Sequence, residues 1–401
     1  MMTGFKAIAS GTVTSPKGFL AGAVKAGIKS QEELDLAILC SEKPCVAAGV
    51  FTTTAIKAAP VILSQKHLKN KSARAIVVNS GCANACTGDS GMADAVDMAK
   101  LVAEKLGLST EDVLVASTGV IGVPLPMERI RAGIREVVLT KEGGHELARA
   151  IMTTDTFPKE IAMSVDAKPG EFTIGGVAKG AGMIHPDMAT MLCFLTTDAV
   201  VDARFLQAAL QKAVDVSFNM ITIDGDTSPS DTVVILANGL AGTETINGRN
   251  GELFQEALDE VCLYLAKCVA RDGEGATKLI EVTVEGALNE EQARLAARTI
   301  AGSPLLKAAI HGNDPNWGRI VAALGRSGAK VNERKLDVYL NDVCVMKQGS
   351  PVPFDRQELG TSLAGKEVSV RLYLNLGRGK AVAWGCDLSE EYVTINSAYT
   401  S

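Results

Sequence analysis

A layered α/β (α+β) fold, with sheets packed together and covered by helices, is what three features of the sequence predict. Ala75-Ile76-Val77-Val78 has no polar break and reads as a strand buried on both faces. Ile280/Val282/Val284, Leu336/Val338/Leu340 and Val368/Val370/Leu372/Leu374 alternate with polar residues, the mark of half-buried, antiparallel strands. Met92, Val96, Ala99, Ala103 and Leu106, and later Phe254, Leu258, Val261, Leu265 and Cys268, recur at four–three spacing and define two amphipathic helices.

The remaining elements follow in order. Residues 11–29 are rich in Gly and Ala and read as loops and short strands. Residues 45–52 form a strand, and 75–79 another that runs into the small-residue loop Ser80-Gly81-Cys82-Ala83-Asn84-Ala85-Cys86-Thr87-Gly88. Gly107 is placed to cap the first helix. Val113-Leu114-Val115-Ala116 is a strand that ends in Ser117-Thr118-Gly119, and helical patterns over 127–139 and 145–152 lead to the polar cluster Thr153-Thr154-Asp155-Thr156. Strands are expected at 172–177, 191–195, 221–223 and 232–236, with a helix over 202–218. A helix over 290–300 separates the first two alternating strands, and His311-Gly312-Asn313-Asp314-Pro315-Asn316-Trp317-Gly318-Arg319 is a polar loop before a small helix. His311 reads as a hydrogen-bonded structural residue, and Asp224 and Asp226 as turn formers rather than a cation site or an acid–base pair.

Composition narrows the function classes. The 401 residues are 47% apolar and 21% charged, as in ordinary soluble proteins, so a large core is expected. The net charge of −6, the lack of a long Lys/Arg block and the 4% aromatic content argue against nucleic-acid binding. Nine scattered cysteines suggest reduced thiols, because Cys82 and Cys86 lack a second pair to complete a zinc site. Lys6 and Lys17 interrupt any apolar leader, and no run approaches the ~20 apolar residues of a membrane helix, so a cytoplasmic protein is expected. Phosphate-loop, zinc-peptidase, serine-hydrolase-elbow and dinucleotide motifs are all missing.

The chemistry centres on Lys179-Gly180-Ala181-Gly182-Met183-Ile184-His185-Pro186-Asp187-Met188-Ala189-Thr190, a glycine-rich stretch followed by the apolar run from Met191. Thr190 therefore stands where a tight loop meets a core strand. A threonine there can attack the preceding carbonyl, cleave the chain and emerge as a new N-terminus. Its free amine, with an ordinary pKa of about 7.7–8, can then take the proton from its own hydroxyl. The plain alternative is that Thr190 only opens a strand. Thr118-Gly119 has a hydroxyl and an unobstructed N–H together, which suits an oxyanion hole, although on these residues alone an ordinary strand-to-turn glycine is the favoured reading.

The combination of Asn79-Ser80-Gly81, Asn84-Ala85-Cys86-Thr87-Gly88, Ser117-Thr118-Gly119, Thr153-Thr154-Asp155, the 179–192 stretch, Asp224-Gly225-Asp226-Thr227, the 312–319 loop and the Asn396 tail resembles the ornithine acetyltransferase family of arginine biosynthesis. The likeness runs from about Gly11 to Ser401, and its most specific parts are Ala189-Thr190-Met191-Leu192 and Asn313-Asp314-Pro315-Asn316-Trp317-Gly318-Arg319. It implies a layered αββα sandwich resembling N-terminal-nucleophile hydrolases with a different connectivity. It also implies self-cleavage between Ala189 and Thr190 into an α chain (1–189) and a β chain (190–401), assembled as α2β2. By the same resemblance Thr190 is the nucleophile and Thr118 and Gly119 form the oxyanion hole. Thr154, Lys179, Thr190, Glu274, Asn396 and Ser401 are the matching substrate-binding positions. The chain departs at Cys82, where Asn is common, and at Ser401, where Thr is frequent.

The expected reaction is ping-pong: Thr190 takes acetyl from N-acetylornithine and passes it to glutamate, with no metal or dissociable cofactor. The same nucleophile with water as acceptor would make an aminopeptidase or amidohydrolase, and a non-enzymatic amino-acid-binding protein would keep Thr190 only for structure. Acetyl-CoA as a second donor stays open, because the sequence has no distinct CoA signature.

Overall fold

The computed structural model of the chain describes residues 4–29, 32–167, 170–185 and 191–398. Its first sheet contains β1 (Phe5–Ala7), β2 (Phe19–Val24), β3 (Leu36–Phe51), β4 (Ser72–Cys82), β5 (Val113–Val120), β6 (Lys159–Ala167), β7 (Gly170–Lys179), β8 (Leu192–Thr197) and β9 (Thr232–Ala237). The spatial order is β1-β6-β7-β8-β9-β3-β4-β5, with β2 added to β3, and it does not close on itself.

Strand β3 gives this sheet its shape. Residues 36–40 pair with β2 and β4, residues 46–51 pair with β9, and the register against β4 slips between Cys40 and Cys45. One strand thus serves two half-sheets, and the irregularity lets it bend between them. Ala37 and Leu39, Ile76 and Val78, and Leu114 and Ala116 share a core with Val177, Leu192, Phe194, Val234 and Leu236, so the half-sheets lie face to face. Because side chains alternate along a strand, the intervening residues point outward. Leu36, Ile38, Ala75, Val77, Val113 and Val115 meet the first helical layer, formed by α1 (Ala59–His67), α2 (Gly88–Leu106) and α3 (Met127–Glu136). Leu147 and Ala148 of α4 (Gly144–Ala150) close the inner core. On the far side Cys193, Leu195, Val233 and Ile235 meet α5 (Ala203–Val216) and α6 (Glu252–Arg271). The result is the helix–sheet–sheet–helix layering expected from the sequence.

The second sheet contains β10 (Leu279–Ala287), β11 (Asp337–Leu340), β12 (Val343–Lys347), β13 (Ser350–Pro351), β14 (Glu367–Tyr373) and β15 (Gly379–Cys386) in the order β13-β12-β11-β14-β10-β15. Ala293, Ala296, Ala297 and Ile300 of α7 (Glu290–Ala301) join its buried residues. Helices α8 (Pro304–His311), α9 (Trp317–Gly325), α10 (Arg356–Ser362) and α11 (Glu390–Ala398) complete the chain.

Two expectations need correction, and one strand is unforeseen. The alternating strands β10 and β14 pair in parallel, and only β11 runs antiparallel to β14, since alternation reports one buried face and carries no information on direction. Residues 221–223 form no strand: after a 3₁₀ turn at Phe218–Met220 the backbone makes a single bridge from Ile221 to Trp384. Strand β6 is not among the expected strands although Ile161, Met163 and Val165 alternate, and β1 and β7 pair with its two edges. Gly107 does cap α2, in the left-handed conformation with its N–H donated to the Ala103 carbonyl.

Phe194 is fully buried between the half-sheets. Phe194→Ala is expected to lower stability by about 3–5 kcal/mol, read from urea unfolding, because the void cannot collapse between two hydrogen-bonded sheets.

Candidate functional site

The ends of β5, β7 and β8 converge on one cavity. Its lining includes Thr118 and Gly119 from β5, Thr154 from the turn before β6, Lys179 from β7, Glu274 from the loop after α6 and Asn396 from α11. Six positions scattered from 118 to 396 are thereby brought together. The cavity holds about 130 Å³, below the roughly 300–1,000 Å³ of pockets for drug-sized ligands, a size that suits an amino acid. Ala189, Thr190 and Ser401 lie outside the described residues, while Met191 and Leu192, which follow Thr190, line the same cavity.

Gly119 lies near the end of the parallel pairing of β5 with β4, opposite Gly81, at φ +126°. A Cβ there would stand 2.4 Å from the Gly81 carbonyl carbon, so the close approach and the backbone angle both require glycine.

Lys179 is fixed by what surrounds it. Its Nζ donates to Thr153 Oγ1 at 2.8 Å and to Thr118 Oγ1 at 3.4 Å, and it lies 3.9 Å from Asp155 Oδ2. Burial pushes its pKa down and Lys159 adds to this, against the opposing charges of Asp155, Asp231 and Glu274. Glu274 accepts a hydrogen bond from Asn396 Nδ2 at 2.7 Å, and its backbone N–H donates to the Ala181 carbonyl. A cation and a carboxylate therefore share one small cavity, which can receive a zwitterionic ligand.

Behind the cavity lies a buried polar network that the sequence did not reveal. Lys159 Nζ donates to Asp155 Oδ1 at 2.7 Å and to Asp272 Oδ2 at 2.6 Å. Asp155 also accepts from the N–H of Gly180 at 2.6 Å and of Thr153 at 3.0 Å, and Asp272 accepts from the N–H and hydroxyl of Thr156. The four-residue spacing of Asp155 and Lys159 was the available signal, but Asp272 is 113 residues away and only the fold pairs it with Lys159. Ser228, Ser230 and Asp231 also line the cavity without having been singled out. The hint to them was a polar run that stops abruptly at the apolar strand β9.

The other candidates have structural roles. Asp224 accepts from the N–H groups of Met183, Ile184 and Asp226, which makes it a turn former as expected. His311 Nδ1 is bonded to Asp387 at 2.8 Å, and Lys278 donates to the Ile310 carbonyl and to Asn313, so the 311–319 loop is pinned to the second sheet. Cys82 is buried and Cys86 exposed, both as free thiols. Among the described residues no group of three His, Cys, Asp or Glu is placed to hold a metal ion, and no helix is long and apolar enough to cross a membrane.

Comparison with known proteins agrees with the geometry. The family model described as the ArgJ family matches residues 20–401. The chain belongs to the ArgJ family. It is 56% identical over 405 residues to the arginine biosynthesis bifunctional protein ArgJ of Dehalococcoides mccartyi, with 100% of both chains covered. Against the protein of the same name from Symbiobacterium thermophilum it is 53% identical over 396 residues, covering 97% of this chain and 98% of the relative. A solved structure of arginine biosynthesis bifunctional protein ArgJ from Bacillus halodurans is 45% identical, with a TM-score of 0.50, over 51% of this chain and 97% of the solved one.

The buried network makes a pH prediction. Burial alone would raise the Asp155 carboxyl, but the charges of Lys179 and Lys159 and the hydrogen bonds from Lys159 and Gly180 hold its pKa down at about 2. Its stabilising contribution is complete above the unfolded value of about 3.9 and is lost as pH falls from there through the folded value. Asp155→Asn should cost about 3–5 kcal/mol at neutral pH, and the gap to wild type should narrow below about pH 4, measured by urea unfolding across the acid range. A gap independent of pH would contradict this account.

Proposed function

We propose that this chain is an arginine-biosynthesis acetyltransferase that moves acetyl from N-acetylornithine to glutamate, giving ornithine and N-acetylglutamate. One observation carries the reading: Thr118, Gly119, Thr154, Lys179, Glu274 and Asn396 meet in a single small cavity whose wall includes Met191, the residue after Thr190. Family membership over nearly the whole chain supports it, as does the printed name shared by relatives 56% and 53% identical.

In this scheme the precursor cleaves itself between Ala189 and Thr190 into an α chain (1–189) and a β chain (190–401). These remain folded together and assemble as α2β2. The solved Bacillus halodurans chain supports two fragments, since 97% of it corresponds to only 51% of this chain. β7 ends at Lys179, β8 begins at Leu192, and the two pair directly, so strand pairing would hold the fragments together after cleavage.

Thr190 Oγ attacks the acetyl carbonyl of N-acetylornithine while its own amine takes the hydroxyl proton. The oxyanion that forms is met by Thr118 and the Gly119 N–H, a contribution of about 3–4 kcal/mol for one such donor. The amide C–N bond breaks, the amine of ornithine leaves with the proton, and an acetyl-threonine ester remains. Glutamate enters the same cavity, its amine attacks the ester, and Thr190 is regenerated. Lys179 pairs with the substrate carboxylate, Glu274 faces the ornithine ammonium, and Asn396 and Ser401 complete the orientation. The scheme requires no metal or dissociable cofactor, and acetyl-CoA as a second donor is testable with glutamate in the absence of acetylornithine.

Wild-type protein should run as two fragments on a denaturing gel, and Thr190→Ala should run as one band without acetyl transfer. An intact, fully active wild-type chain would sink the mechanism. Acetylornithine turnover should yield acetylglutamate in stoichiometric amount, whereas free acetate as the main product would indicate a hydrolase. Glu274→Gln should raise KM for N-acetylornithine by about tenfold or more, through loss of a charged partner worth ~1.5–3 kcal/mol, in steady-state assays.

A further inference from the structure

We infer that Gly182 is a specificity-determining residue: its missing side chain leaves the space in which the Glu274 carboxylate is held, at a fixed place in the cavity wall, to receive the side-chain ammonium of the acetyl donor. This rests on the acetyl-transfer reading above and adds a positioning residue to it.

Glu274 is 8% exposed and lines the cavity. Among the described residues its one side-chain hydrogen bond is a neutral one, from Asn396 Nδ2 to Oε2 at 2.7 Å. Lys179 is the one cation among the described lining residues. It is engaged by Thr153, Thr118 and Asp155, and its charge reaches Glu274 without an ion pair between them. A buried carboxylate is costly unless a cation meets it, so one left without an ion pair in a cavity wall suits a cationic ligand group.

Three glycines hold that carboxylate in place. A Cβ on Gly182 would stand 2.5 Å from Glu274 Cδ and Oε2 and 2.6 Å from Oε1, so the carboxylate rests face-on against the backbone of residue 182. The Glu274 N–H, donated to the Ala181 carbonyl at 2.9 Å, ties the same two segments together. On either side of Glu274 there is no room for a side chain. A Cβ on Gly273 would meet Cys386 Sγ at 2.5 Å, and one on Gly275 would meet Glu391 Cβ and the Tyr392 nitrogen at 2.7 Å. The turn over residues 273–275 is therefore wedged between the end of β15 and α11, while Gly182 closes on the charge itself. The backbone of Gly182 is not left-handed, so space alone demands glycine there.

A carboxylate fixed in this way can pair with an ammonium at only one distance from the substrate's α-carboxylate end. The three-carbon side chain of ornithine supplies that distance. Donors one methylene shorter or longer lose the pairing, and a donor without the ammonium never makes it.

The test compares acetyl donors with glutamate as acceptor. Wild-type kcat/KM should be about tenfold or more higher for N-acetylornithine than for its homologues one methylene shorter or longer, or for N-acetylnorvaline, which lacks the ammonium. Equal values would overturn the assignment. Gly182→Ala, whose methyl must displace the carboxylate, should raise KM for N-acetylornithine about tenfold and lose most of this discrimination, with KM for glutamate changed by less than about threefold. The double variant Gly182→Ala/Glu274→Gln should be no worse than Glu274→Gln, because both changes remove one interaction. A KM for N-acetylornithine that stays at the wild-type value in Gly182→Ala, or losses that multiply in the double variant, would overturn it. If Gly182→Ala does not fold, the donor series on wild-type protein still decides. Wild-type protein that transfers acetyl from no donor would instead refute the acetyl-transfer reading, so the two failures are distinguishable.

Discussion

The carboxylate of Asp155 joins several segments around the cavity. It accepts from the N–H groups of Thr153 and Gly180 and from Lys159, and it lies within 3.9 Å of Lys179. Through these contacts the turn that places Thr154, the start of β6 and the end of β7 are held together. Asp272 completes the charge balance from the end of α6, two residues before Glu274. A buried ion cluster is stable only while all its partners stay in place. The network ties these parts of the cavity wall to one another, which suits a site where two substrates must use the same geometry in turn.

The bent strand β3 complements this network. One half-sheet contributes Thr118 and Gly119, the other contributes Lys179 and the strand that follows Thr190, and β3 is the element common to both. Thr118 and Gly119 on one half-sheet and Lys179, Met191 and Leu192 on the other line one cavity because the sheet folds over its own inner core. Phe194, Leu192 and Val234 in that core set the spacing between the halves.

Much of the architecture was legible in the sequence. The unbroken run in β4, the four–three repeats of α2 and α6 and the left-handed cap at Gly107 each follow from local chemistry, and each stands where it was expected. Misreadings arose where a partner decided the outcome. Strand β6 has a short alternation at Ile161, Met163 and Val165 and is fixed by β1 and β7 on either edge, and residues 221–223 have the composition of a strand but pair with a neighbour only at the single Ile221–Trp384 bridge. Lys159, with its long polar side chain, gave no sign of being among the largest fully buried residues. Burial of such a group depends on two carboxylates, one of them beyond the reach of any local pattern.

By itself the sequence determined most of the element types, the layered α/β class and the family, because these depend on local periodicity and on motifs that survive as strings. Only the tertiary structure decided which of the candidate residues share a cavity, that β10 and β14 run parallel, and that Asp231 faces the same space as Lys179 and Glu274. Strand direction and the pairing of buried charges are set by contacts between residues tens to hundreds of positions apart, and such contacts leave no period in a linear chain.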